Sequence, residues 1–236
     1  MDALSFLPNP IVFSDGSSYE LQNPITDFRQ CHGTEPAESR ILYRCRHTNP
    51  PTSPASQPFI LKLKVQISDT TTSNPSVPQP GPSPTTSHEL DALRLFADAQ
   101  TPAGPNLVAF ENFPQPAEGL LPGGYVNCTV MSVLPGKSLF ELGYWSLEEE
   151  EREEVREAFG QALSAVRELG VEPGDKGLRN VMWDAESERC GLVDFELWEP
   201  FSPEMEVGRT EELQKWGLAH KPPAKNWWAE FGIHTC

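Results

Sequence analysis

The stretch 172–184, EPGDKGLRNVMWD, decides how the rest of the chain is read. A turn built on Pro173 and Gly174 delivers Asp175, Lys176, Arg179 and Asn180 in a polar loop, and the chain then becomes apolar at Val181, Met182 and Trp183. Asp, Gly and Asn are ordinary turn formers, so a turn leading into a strand is the plain reading. The alternative is a loop that presents an acid and an amide, five residues apart, to a ligand.

The flanks of this stretch are regular. Upstream, Val155, Phe159, Leu163, Val166 and Leu169 recur at spacings of four, four, three and three, the stripe of an amphipathic helix. The pattern predicts a helix over 146–170. Ser146 and Glu149 have capping-box spacing, acids fill the first turn, and Gly170 supplies the stop. Downstream, Val181–Asp184, a turn at ESERCG and Leu192–Glu196 predict a tight hairpin with Asp194 at its exit. Asn180 and Asp194 lie 14 residues apart, and such a hairpin would fold them back toward one end.

The first half of the chain reads differently. FILKLKVQI, residues 59–67, alternates apolar residues with Lys62, Lys64 and Gln66, a strand with one apolar and one polar face. RILYRCR, 40–46, suits its partner strand. HELDALRLFADA suits a helix with Leu90, Leu93 and Ala97 on one side and Glu89 in the first turn. Short strands are expected at 107–110 and 125–133, and the turn LPGK at 134–137 is expected to be a hinge. Two proline-rich clusters, about 48–58 and 69–88, hold too few apolar side chains to order themselves and predict solvated, disordered insertions.

Composition narrows the partners. The net charge of −16 and pI near 4.7 argue against nucleic-acid and anionic-membrane binding, which require a basic surface. Residues 1–145 carry 13 acids and 8 bases, and 146–236 carry 21 and 10, so an anionic ligand must be met by a few local cations. The five cysteines include no close pair, which fits reduced thiols and no zinc motif. No apolar run approaches the roughly 20 residues of a membrane span, and MDALSFLPNP lacks the basic start of a signal peptide. The expectation is a soluble, cytoplasmic or nuclear protein.

In order and spacing, ILK in the strand, ELDALRLF in the helix, GDKGLRN in the loop and VDFE after the hairpin resemble the protein-kinase-like superfamily. The resemblance covers roughly residues 40–200 and runs toward the aminoglycoside- and choline-phosphotransferase branch and divergent fungal kinase-like proteins. It implies an α+β, two-lobed fold. An N-lobe of 1–133 would be built on a small antiparallel sheet, and a short, mainly helical C-lobe of 134–236 would carry the loop 172–184, the element 194–196 and a Trp-rich tail. It further implies ATP and Mg²⁺. By position, Asp175 matches the residue that orients the attacking hydroxyl and accepts its proton, and Asn180 and Asp194 match the Mg²⁺ ligands. Lys62 matches the strand lysine on the phosphates and Glu89 its partner. Lys64 points to the same face two residues on, so the choice between the lysines stays open. Lys176 and Arg179 could neutralise a transferring phosphoryl group, although Arg179 could equally be a packing or partner residue.

The chain also departs from the family pattern. Pro173-Gly174-Asp175 stands where the family has a histidine two residues before the aspartate, no glycine-rich GxGxxG loop appears near 30–42, and only about 40 residues follow Asp194. Three functions are therefore carried. The first is an ATP- and Mg-dependent phosphotransferase acting on a small hydroxylated molecule or a protein hydroxyl. The second is a pseudokinase serving as an interaction module, with room for a protein partner. The third is an unrelated α+β binding protein in which the motif order is coincidence. The acceptor itself is unnamed by the sequence.

Overall fold

Alternation in the first half of the chain is realised as an antiparallel sheet. The computed structural model describes residues 4–31, 36–48, 58–71, 73 and 76–220. These fall into two compact units, one of residues up to Ser87 with Leu107–Val133, the other of His88–Asn106 with the chain from Leu134 on. The proline cluster at 48–58, apart from its two end residues, lies outside the described residues, as do Gly33 and the tryptophan pair 227–228.

The first unit is a seven-stranded sheet. Its strands are β1 (Ile11–Val12), β2 (Ser18–Pro24), β3 (Arg29–Cys31), β4 (Glu38–His47), β5 (Pro58–Gln66), β6 (Leu107–Pro114) and β7 (Tyr125–Ser132). They lie in the order β1-β2-β4-β5-β7-β6, with β3 also on β4. The expected partnership of 40–46 with 59–67 is present in register from Glu38↔Gln66 to Arg46↔Pro58. One face carries Leu61, Leu63 and Val65 against Val126, Cys128, Val130, Ile41 and Tyr19 as the core. Truncating such a side chain, as in Leu63→Ala, costs about 2–5 kcal/mol.

The opposite face is polar, as the alternation predicts. Lys62, Lys64 and Gln66 share it and are buried, Lys62 at 7% exposure and Lys64 at 2%. The proline-rich segment predicted to be a free insertion covers part of this face. Gln66 donates from Nε2 to the Val77 carbonyl at 3.0 Å and accepts the Gln79 N–H at 2.8 Å. Asn112 donates to the Pro80 carbonyl at 2.9 Å. A single glutamine thus satisfies both polarities of an otherwise unpaired backbone, and the segment is ordered by polar bonds rather than apolar burial.

Helix α1 spans Pro84–Ala99 and begins a turn before the expected start at His88. Ser83 caps it, accepting the Thr86 N–H at 3.3 Å, and Pro84 takes the first helical position, where a missing N–H costs nothing. Glu89 consequently sits in the second turn. The buried side of α1 is Leu90, Ala92, Leu93 and Phe96, with Phe96 in place of the expected Ala97.

The second unit combines helices with two small sheets. A three-stranded sheet joins β8 (Lys137–Ser138), β10 (Val181–Asp184) and β11 (Arg189–Leu192), and a two-stranded one joins β9 (Val171–Pro173) to β12 (Trp198–Pro200). Besides α1, the helices are α2 (Leu139–Leu142), α3 (Glu149–Glu168) and α4 (Arg209–Lys215). The predicted long helix is α3, with Val155, Phe159, Leu163 and Val166 buried and Gly170 just past its end at φ +81°. The expected capping box of Ser146 and Glu149 does not form. Glu148 is the N-cap and makes no side-chain cap bond. Glu149 is engaged by Arg152 and Arg156 instead. A capping box does occur one element earlier, where Ser138 and Glu141 bracket α2. Among the described residues no helix is long and apolar enough to cross a membrane.

Candidate functional site

The loop that opened the sequence reading lies between β9 and β10. Strand β9 pairs antiparallel with β12, Trp198 opposite Pro173, so the chain just before Asp175 runs alongside the chain just after Glu196. Gly174 makes this approach feasible. A Cβ there would lie 1.8 Å from the Leu197 carbonyl oxygen, so no other residue fits without moving backbone.

Strands β10 and β11 pair from Val181↔Leu192 to Asp184↔Arg189, forming the expected hairpin. At its open end the Val193 N–H donates to the Asn180 carbonyl at 3.0 Å, which brings Asn180 beside the residue preceding Asp194. Asn180 is buried, and its Nδ2 donates to the Asp175 carbonyl at 2.9 Å and to Asp175 Oδ2 at 3.2 Å. With the amide nitrogen so used, the amide oxygen is the acceptor that the side chain retains. Asp175, Asn180 and Asp194 are thereby gathered at one end of one hairpin.

Glu89 joins them from α1. One carboxylate oxygen from each of Glu89, Asp194 and Glu196 lies within 4.8 Å of the others, with Glu89 and Glu196 buried and Asp194 exposed. Helix α1 is held at this place by Trp198 Nε1, which donates to the His88 carbonyl at 2.7 Å, and by Phe96, whose ring meets Phe195 edge-on at 4.7 Å between centroids. Asp194 adopts φ +66°, a left-handed backbone that a non-glycine residue occupies at some cost and that clusters at functional positions. Carboxylates this close repel one another unless a proton or cation intervenes. The donor set, carboxylate and amide oxygens without nitrogen or sulfur, fits a hard divalent ion such as Mg²⁺.

The loop's cations are engaged within the unit. Arg179 contacts Asp175 through Nη2 alone, which reaches both carboxylate oxygens, while its Nη1 is buried with no hydrogen-bond partner. Lys176 points into a network behind the loop. Its Nζ lies 2.6 Å from Glu172 Oε1 and 3.3 Å from Glu212 Oε1. Arg167 bridges the same two carboxylates at 2.6 and 2.7 Å, and Trp216 Nε1 donates to Glu212 at 3.1 Å. Burial alone would raise the Glu172 carboxyl. The hydrogen bonds from Arg167 and Lys176 outweigh it and hold its pKa below the ordinary carboxylate value. Burial works against the Arg167 charge, yet Glu172 and Glu212 raise its pKa.

The two candidate lysines belong to the first unit and differ in their surroundings. Lys64 sits 3.9 Å from Glu38 and donates to Thr85 Oγ1 at 3.2 Å. Glu38 also accepts from Tyr125 Oη at 2.6 Å and pairs with Arg40 at 3.6 Å. Lys64 is therefore part of a buried polar layer, and Lys62, also buried, lies opposite Thr129 and Leu42 in the sheet register.

Sequence reasoning did not single out Glu196, Glu212 or Trp198. Glu196 was legible as a second acid two residues beyond Asp194. Glu212 and Trp198 carried no local signal, because their roles depend on chain segments far away in sequence.

No family model matches the chain, and no curated protein does. Among solved structures it is similar to the kinase PK-1 of the Cydia pomonella granulovirus, with 16% identity and a TM-score of 0.49. The match covers 85% of this chain and 65% of the viral kinase, so the chain spans about two thirds of that protein's length. At this identity the likeness concerns the course of the chain and transfers no residue role.

Proposed function

We propose that the chain binds a Mg²⁺–nucleoside triphosphate, ATP in the first instance, and transfers its terminal phosphoryl group to a hydroxyl on a small molecule. The observation that carries this reading is the gathering of Asn180 and Asp194 at one hairpin end, with Asp175 bonded to Asn180 and two further carboxylates beside Asp194. Asp194 and the Asn180 amide oxygen would hold the cation, with Glu89 and Glu196 adding charge. The ion would neutralise phosphate oxygens when bound. Asp175 would orient the acceptor hydroxyl and take its proton. Lys64 pairs with Glu38 and Thr85, and the choice between Lys62 and Lys64 as the phosphate contact stays open.

One observation favours a second reading, a nucleotide-binding module without transfer. The Asp175 carboxylate is covered by Arg179, and Lys176 is held by Glu172 and Glu212. In that reading the partner is a protein rather than a metabolite.

Thermal denaturation with and without Mg-ATP separates the two, since a ligand of the folded state raises the melting temperature as its concentration rises. The phosphotransferase reading expects a shift for the wild type, its loss in Asp194→Ala, and its loss in one of Lys62→Ala and Lys64→Ala, each corrected for stability. Asp175→Asn should keep the shift and lose ADP formation with hydroxylated acceptors. Retention of the shift in Asp175→Asn with no turnover by the wild type would select the binding module, and no shift in the wild type would discard both.

A further inference from the structure

An arginine and a carboxylate meet best with two nitrogens facing two oxygens. Arg179 and Asp175 do not meet that way. Nη2 alone contacts both oxygens of Asp175, and Nη1 is buried and unmatched. A buried donor without an acceptor is unfavourable, so the pair is not a satisfied end state. Both side chains retain partial access to solvent, Arg179 at 33% and Asp175 at 25%. The other cation of the loop, Lys176, is already shared between two carboxylates. In a chain with a net charge of −16, Arg179 is thus the loop cation that a second anion could claim.

We infer that Arg179 selects the acceptor: the substrate is a small molecule carrying a carboxylate or phosphate within a carbon or two of the hydroxyl that reacts. The inference rests on the phosphotransferase reading and adds the substrate class. The anionic group displaces Asp175 from Nη2, and as the guanidinium turns toward it the group's second oxygen meets the otherwise unmatched Nη1. Asp175 is thereby uncovered next to the hydroxyl. The acceptor O–H bond then breaks with its proton passing to the Asp175 carboxylate, the oxygen bonds to the terminal phosphorus of the nucleoside triphosphate, and the bond from that phosphorus to the bridging oxygen breaks to release the diphosphate. Without the anion, Arg179 keeps Asp175 covered, which protects the nucleotide from transfer to water or neutral alcohols.

The test is a calorimetric titration without nucleotide, using D-glycerate and glycerol 3-phosphate as anionic hydroxyl probes and glycerol as the neutral control. The wild type should bind at least one anionic probe and not glycerol. Arg179→Gln should weaken that binding about tenfold or more, the scale of one charge-assisted hydrogen bond. Asp175→Asn should tighten it several-fold, because the competing carboxylate is gone; a purely structural role for Arg179 predicts no such gain. Arg179→Lys, which keeps the charge without the fork, should fall between, and it keeps the test open should Arg179→Gln unfold. Equal binding by wild type and Arg179→Gln, or no anion binding by either wild type or Asp175→Asn, overturns the inference. Because nucleotide is absent, a chain that shifts with Mg-ATP yet ignores both anions refutes this inference alone. A chain that binds them through Arg179 yet never responds to Mg-ATP refutes the phosphotransferase reading.

Discussion

Replacing Glu212 with glutamine tests whether the network behind the loop holds the loop in place. Glutamine keeps the shape and one acceptor oxygen but removes the charge that meets Arg167 at 2.7 Å and Lys176 at 3.3 Å. Two cations would then share Glu172 alone. All four side chains are less than a fifth exposed, so solvent compensates poorly. Breaking a buried pair from one side costs about 3–5 kcal/mol. The surviving Glu172 and the partial access of Lys176 discount the expectation below that range, to about 2–3 kcal/mol. For a chain of this size that lowers the melting temperature by about 4–12 °C, at roughly 2–4 °C per kcal/mol. Urea denaturation of the wild type, Glu212→Gln, Lys176→Met and the double variant completes the measurement. Removing Lys176 in the Glu212→Gln background restores charge balance, so the double variant should be more stable than the sum of the singles by at least about 1 kcal/mol. A Glu212→Gln cost below about 1 kcal/mol, or additive singles, would show that the network is solvated and not a brace.

Other expectations follow from single features. Gly174→Ala places a methyl 1.8 Å from the Leu197 carbonyl, and the β9–β12 pair must part; a loss of about 3 kcal/mol or more is expected in denaturant melts, and a loss under 1 kcal/mol would mean the two chains are not in register there. Glu172 has a pKa lowered in the folded state, so its contribution is fully present above its unfolded value near 4.5 and is lost as pH falls below that value. As pH falls below about 4.5 the wild type should therefore lose stability more steeply than Glu172→Gln, narrowing the gap between them in denaturant melts, and parallel pH profiles for the two would contradict it. Asn127, 1% exposed on β7, has neither its amide oxygen nor its nitrogen bonded to any described residue; Asn127→Leu should be neutral or stabilising, and a loss above about 1 kcal/mol would reveal a buried water bound there.

Much of the scaffold was legible because periodicity acts locally. The alternation of 59–67 and the stripe from Val155 to Val166 each encode which side must be buried, and β5 and α3 obey them. The hairpin that brings Asn180 toward Asp194 was legible from a turn between two apolar runs. What the residues did not reveal is which polar groups would be covered. Gln66 looks like any solvated strand residue until the segment after residue 76 bonds to it. The start of α1 was obscured because Ser83 and Pro84 belong both to a proline-rich stretch and to a good helix cap. The spacing of Ser146 and Glu149 suggests a capping box that does not form, because Ser146 closes the preceding 3-10 turn and the helix is entered at Glu148, which leaves Glu149 to Arg152 and Arg156. Of the site, the three loop and hairpin residues were readable in order, while the partners that restrain them, Arg179 on Asp175 and Glu212 on Lys176, depend on side-chain direction.

The bonds from Gln66 to Val77 and Gln79 change how the proline-rich stretch should be regarded. Such stretches are commonly trimmed as dispensable tethers when a protein is shortened for study. Here trimming would take away the acceptor and the donor that Gln66 uses, leaving a buried amide to find new company. Length in this region is therefore constrained by what lies underneath, and variants that shorten it should lose sheet stability through the polar bonds they remove.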